Sequence, residues 1–68
     1  MKDTFFPDRV RTLREAAQLT QKQLAGHLGV STNTVARWEM GRCQPSYYAL
    51  GRLALVLHVG VETLFPAP

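Results

Sequence analysis

Apolar residues recur three and four positions apart along most of this chain, the spacing that gives a helix one buried face. Val10, Leu13 and Ala17 form the inward stripe of a first helix that Pro7 opens and that runs to about residue 18. Proline suits a first helical position because its missing N–H would have no partner there, and Asp8 adds negative charge to the first turn. Arg9, Arg11 and Glu15 fall between the apolar positions and face water, and Leu19 packs in the connection that follows. Thr20 with Gln23 reads as a capping box at the start of a second helix, whose Leu24 and Leu28 share one face. Gly29 supplies a residue free to take positive φ, which turns the chain sharply out of that helix. Ser31 caps a third helix in which Val35 and Trp38 face inward.

That third helix ends near Met40, with Gly41 as its terminator and a loop from Arg42 to Pro45 that proline keeps from being helical. Ser46 caps a fourth helix carrying Leu50, Leu53, Ala54 and Leu57, the cleanest amphipathic run in the chain. Gly51 inside it costs about 1 kcal/mol of helix propensity, explained either by close packing or by tolerance. A last short helix over residues 61 to 65 turns Leu64 inward and stops at Pro66. The pattern predicts an all-α fold of five short helices with tight connections. Residues 1–7 form an N-terminal arm, residues 8–65 the folded domain and residues 66–68 a tail.

The third helix is the informative element. Its inward residues leave Thr32, Asn33, Thr34 and Arg37 near the solvent side. Two hydroxyls, an amide and a guanidinium on a short helix suit the donor and acceptor pattern of a DNA major groove.

Size and charge narrow the reading without deciding it. A chain of 68 residues forms one domain, and at this length only about 60% of the extended surface is buried, so the core must be efficient. With 46% hydrophobic residues it is too apolar for a disordered tail. Cys43 is the single cysteine, which excludes an internal disulfide, and His27, His58 and Cys43 have no zinc-ligand spacing, so no metal or cofactor is expected. The net charge of +3, from eight basic and five acidic residues, is compatible with nucleic acid, and Lys22, Arg37 and Arg42 lie in or beside the unit formed by the second and third helices. No signal peptide is evident, and the longest apolar stretch, residues 53 to 59, falls far short of the ~20 residues of a membrane span, which points to the cytoplasm.

The chain resembles the helix-turn-helix domain of the phage Cro and repressor class, also called the xenobiotic-response-element class of regulators. The match covers residues 8 to 65 and rests on Leu19-Thr20-Gln21, Leu24-Ala25, Gly29-Val30-Ser31, Val35, Trp38-Glu39, Gly41, Pro45, Leu53-Ala54 and Leu57-His58-Val59. Two positions depart from it. His58 stands where the family usually has glycine, and Gly60 where it usually has a serine or threonine cap, which weakens the last helix.

The resemblance implies a compact, lambda-repressor-like bundle of five helices that binds double-stranded DNA as a homodimer on a two-fold symmetric operator. It implies that Thr32, Asn33 and Arg37 reach base edges and that Gln21, Ser31, Thr34 and Arg42 contact phosphates. Gln21 also braces the third helix, and Ala25 is the small residue where the second and third helices cross. Arg14 and Glu39 occupy the positions of an ion pair that orients the first helix against the third. Gly29 makes the turn and Trp38 belongs to the core. The apolar residues that five short helices leave uncovered, Phe5, Phe6, Val61 and Phe65, mark the expected dimer surface.

Plainer readings stand beside these. Ser31 caps a helix with or without DNA, and Arg37 could pair with a neighbouring acid. Tyr47 and Tyr48 fit surface, core rim or DNA-backbone contact equally. The five acids, Asp3, Asp8, Glu15, Glu39 and Glu62, form no paired-carboxylate site, and Ser31 has no base in triad arrangement, so catalysis is not expected. The alternative to a DNA-binding regulator is a protein-interaction module, such as an antitoxin with a toxin partner; Thr, Asn and Arg on the third helix oppose it.

Overall fold

A computed structural model describes residues 7–64 of the chain. Four α-helices follow in order, α1 (Pro7–Ala16), α2 (Gln21–Leu28), α3 (Thr32–Glu39) and α4 (Tyr47–Leu57), and a single 3-10 turn, Val61–Leu64, closes the series. The last element is therefore not the fifth α-helix that the apolar spacing predicts. Its Thr63 N–H bonds the carbonyl of Gly60, three residues back, and Gly60 has no side chain with which to cap a longer helix. Phe65 and Pro66 lie outside the described residues.

Side chains start three of the helices. The Thr20 hydroxyl accepts the Gln23 N–H at 3.0 Å while the Gln23 side-chain amide oxygen, Oε1, accepts the Thr20 N–H at 2.9 Å, the reciprocal pair of a capping box. Ser31 accepts from the Thr34 N–H and Ser46 from the Ala49 N–H, each at 3.1 Å. Every such bond satisfies a donor that the helix itself leaves open.

All four α-helices end in the same way. A residue in left-handed backbone follows the last turn, at Gln18 (φ 61°), Gly29 (φ 74°), Gly41 (φ 74°) and His58 (φ 60°). The N–H of the next residue then reaches back five positions: Leu19 to Arg14, Val30 to Ala25, Arg42 to Arg37 and Val59 to Ala54. This is the Schellman closure, which satisfies orphan carbonyls and reverses the chain within two residues. It stops α1 at Ala16, earlier than the predicted residue 18, and leaves Ala17 exposed instead of inward.

The reversals bring the helices together around one core. Val10, Leu24, Val35, Leu50, Leu53 and Leu64 are fully enclosed, one or more from each helix and one from the 3-10 turn. Burying a side chain of this size contributes about 1.5–3 kcal/mol. α3 packs on α2 and α1, and α4 packs on α2 and the 3-10 turn. The 3-10 turn also meets α1, where an Arg9 guanidinium N–H donates to the Thr63 carbonyl. Leu13, Leu19, Val30 and Val59 border the core. At Gly51 an added β-carbon would meet nothing within 4 Å, so tolerance and not close packing accounts for that glycine.

Candidate nucleic-acid interface

The turn at Gly29 and Val30 carries the chain from α2 into α3, which packs against it, and Ala25 of α2 is only 2% exposed. Val35 and Trp38 anchor α3 from its inner side, at 0% and 4% exposure. Thr32, Asn33 and Arg37 consequently stand in solvent on the outer side, and their side chains make no hydrogen bond with any described residue. The hydroxyl, the amide and the guanidinium are all open to an external partner.

Ser31 and Thr34 are partly committed. Their hydroxyls lie 2.9 Å apart in one mutual hydrogen bond, and the Ser31 oxygen also accepts the Thr34 N–H. Two hydroxyls sharing one bond leave one O–H hydrogen to donate outward. Arg42 is exposed just past α3, and its backbone closes that helix while its side chain stays open.

One carboxylate ties α1, α2 and α3 together. Glu39, with a side chain 4% exposed, accepts from Arg14 Nε at 2.6 Å and Arg14 Nη2 at 3.2 Å, and from Gln21 Nε2 at 3.0 Å. Arg14 Nη1 also donates to the Leu19 carbonyl at 2.9 Å, which holds the connection between α1 and α2. The hydrogen bond to Glu39 raises the affinity of Arg14 for its proton above the ordinary value, against the opposing effect of burial. Gln21 has a second amide N–H left over, at the first residue of α2, beside the exposed Lys22.

The charge distribution follows from these pairings. Glu15 and Glu39 are held by Arg11 and Arg14, whereas no described acid pairs with Lys22, Arg37 or Arg42. The outer side of the α2–turn–α3 unit is thus left with uncompensated positive charge. Two residues on that side escaped the sequence reading, Ala36 and Met40, the latter 61% exposed. Both lie four and eight residues after Thr32, and counting on from Thr32 at helical spacing would have found them. Tyr47 and Tyr48, at the start of α4, are 84% and 76% exposed and so are not core. Val61 is 42% exposed, while Phe5, Phe6 and Phe65, the other members of the expected dimer surface, lie outside the described residues.

Two capped helices joined by a glycine turn, with a buried crossing and an open polar face on the second, define a helix-turn-helix. The chain matches the helix-turn-helix domain family over residues 7–64 and belongs to it. It is 40% identical over 63 residues to an uncharacterized HTH-type transcriptional regulator, RghRB, of Bacillus subtilis (strain 168), covering 91% of this chain and 45% of that protein. The chain therefore spans less than half the length of this relative. Among solved structures, the restriction-modification controller protein C.AhdI from Aeromonas hydrophila superposes with a TM-score of 0.82 at 32% identity, covering 87% of this chain and 89% of that one. The P22 c2 repressor in complex with a synthetic operator gives a TM-score of 0.86 over 96% of this chain and 98% of that one. Its identity of 23% makes that likeness one of fold. Among the described residues no helix is long and apolar enough to cross a membrane, and no three His, Cys, Asp or Glu side chains gather as a metal site.

Proposed function

We propose that this domain binds double-stranded DNA in a sequence-specific manner and serves as the DNA-reading part of a transcriptional regulator. The observation that carries the reading is α3, pinned by Val35 and Trp38 while the side chains of Thr32, Asn33 and Arg37 have no partner within the fold. Docked in a major groove, Arg37 suits the O6 and N7 acceptors of guanine, and Asn33 the N6 and N7 edge of adenine. Gln21, Ser31, Thr34 and Arg42 surround α3 with donors suited to phosphate oxygens, which fix register and not sequence. Membership in the family and a relative named as a transcriptional regulator support the same reading.

The regulator acts as a homodimer in the cytoplasm, with two copies reading half-sites about one helical turn, ~34 Å, apart. Selection from random duplex DNA tests both parts. Recovery of a two-fold symmetric sequence is the expected result. Failure to enrich any duplex, from a protein that melts cooperatively, would overturn the DNA reading in favour of a protein-interaction module. A symmetric site bound by one copy at every concentration would overturn the dimer alone.

A further inference from the structure

The open side of α3 is two ridges of different chemistry. At about 100° per residue, Thr32, Ala36 and Met40 rise along one ridge, and Asn33 and Arg37 along the next. The second ridge is polar. Each member of the first ends in a methyl group: the γ-methyl of Thr32, the β-carbon of Ala36 and the ε-methyl of Met40. Met40 sits roughly opposite the midpoint of Val35 and Trp38, so its 61% exposure comes from facing directly away from the core. Long side chains on a helix lean toward its N-terminus, which lays the Met40 thioether over the turn that carries Ala36. Ala36 and Met40 are the apolar edge of one shallow groove whose other lining is polar or charged, Gln21 of α2, Arg11, Arg14 and Glu15 of α1, and Glu39. Met40 is not part of the buried core. Nor can it donate a strong hydrogen bond to a phosphate or a base edge.

The major groove offers one apolar feature, the 5-methyl group of thymine. Resting on the DNA reading above, we infer that the Thr32–Ala36–Met40 ridge recognises thymine methyl groups, while the Asn33–Arg37 ridge reads hydrogen-bonding edges. The half-site then carries thymine on the side of α3 that adjoins α1 and the start of α2. Specificity at those base pairs comes from contact with carbon, and is blind to the donors and acceptors that thymine shares with uracil.

Deoxyuridine in place of thymidine removes the methyl group and leaves pairing and both hydrogen-bonding edges unchanged, so it tests the inference without altering the protein. The probe is the operator recovered by selection, with each thymine replaced in turn. At one or two positions per half-site, uracil should weaken binding about fourfold, the ratio expected for burying one methyl group. The loss at those positions should shrink toward unity in Met40→Ala, at an exposed residue, or Ala36→Ser, at a half-buried one; neither residue belongs to the core. An operator that binds equally well with uracil at every position would overturn the methyl inference and leave the DNA reading standing. A protein that enriches no duplex would remove both.

Discussion

Gln18 and His58 hold the same left-handed backbone as Gly29 and Gly41, but each carries a β-carbon there. That conformation costs an L-residue roughly 1–2 kcal/mol, which glycine avoids while losing some chain entropy of its own. Gln18→Gly and His58→Gly should therefore each stabilise the fold by about 0.5–1 kcal/mol, read as a higher urea midpoint with an unchanged slope. The reverse change separates backbone cost from crowding. A β-carbon at Gly29 meets nothing within 4 Å, so Gly29→Ala should cost about 1 kcal/mol through backbone alone. At Gly41 the new atom would also lie 3.3 Å from Pro7 Cγ, and the loss should be larger. A His58→Gly variant that melts lower than the parent would contradict this account. The two glycine closures are legible in the sequence because glycine signals the conformation; the closure at Gln18 is not, and the one at His58 shows only through the resemblance, where the family usually has glycine.

Among elements, the strongest coupling runs through Glu39. Breaking a largely buried pair by removing one partner strands the other charge, at a cost of about 3–5 kcal/mol for enclosed pairs. Glu39→Ala should approach that range, whereas replacing Arg14 and Glu39 together with apolar residues of similar volume should cost far less than twice as much; denaturant melts of both variants check it. Gln21→Ala should lose only about 1 kcal/mol, because it removes one hydrogen bond at the edge of the pair. Gly51→Ala, in open space within α4, should gain about 1 kcal/mol of helix propensity. Helix starts and inward residues were readable because Thr20, Ser31, Ser46 and the apolar spacing act within a few residues. Exposure of Thr32, Asn33 and Arg37 follows from the same periodicity. The bond from Gln21 to Glu39 spans 18 positions and exists only because α2 packs on α3, a contact that no local pattern contains.

For the molecule as a whole, the uncompensated charges of Arg37 and Arg42 should separate in a binding experiment. Arg37→Ala should lose about 1–3 kcal/mol on the selected operator and much less on random duplex. Arg42→Ala should weaken both alike and lower the dependence of binding on salt by about one released counterion. Equal losses on both duplexes for Arg37→Ala would make it a phosphate contact. At this scale the join between α1 and the 3-10 turn has a further consequence. Val10 and Leu64 are both fully enclosed, and Arg9 clasps the Thr63 carbonyl, so the first and last described elements lie side by side. Between Pro7 and Leu64 the fold is close to a ring in connectivity. A circularly permuted domain, with Leu64 joined to Pro7 through a short flexible link and a new opening between the exposed Cys43 and Gln44, should melt cooperatively with the parent helix content. Continuity of the chain between α3 and α4 would then be dispensable, and the same bundle could be read from more than one starting residue.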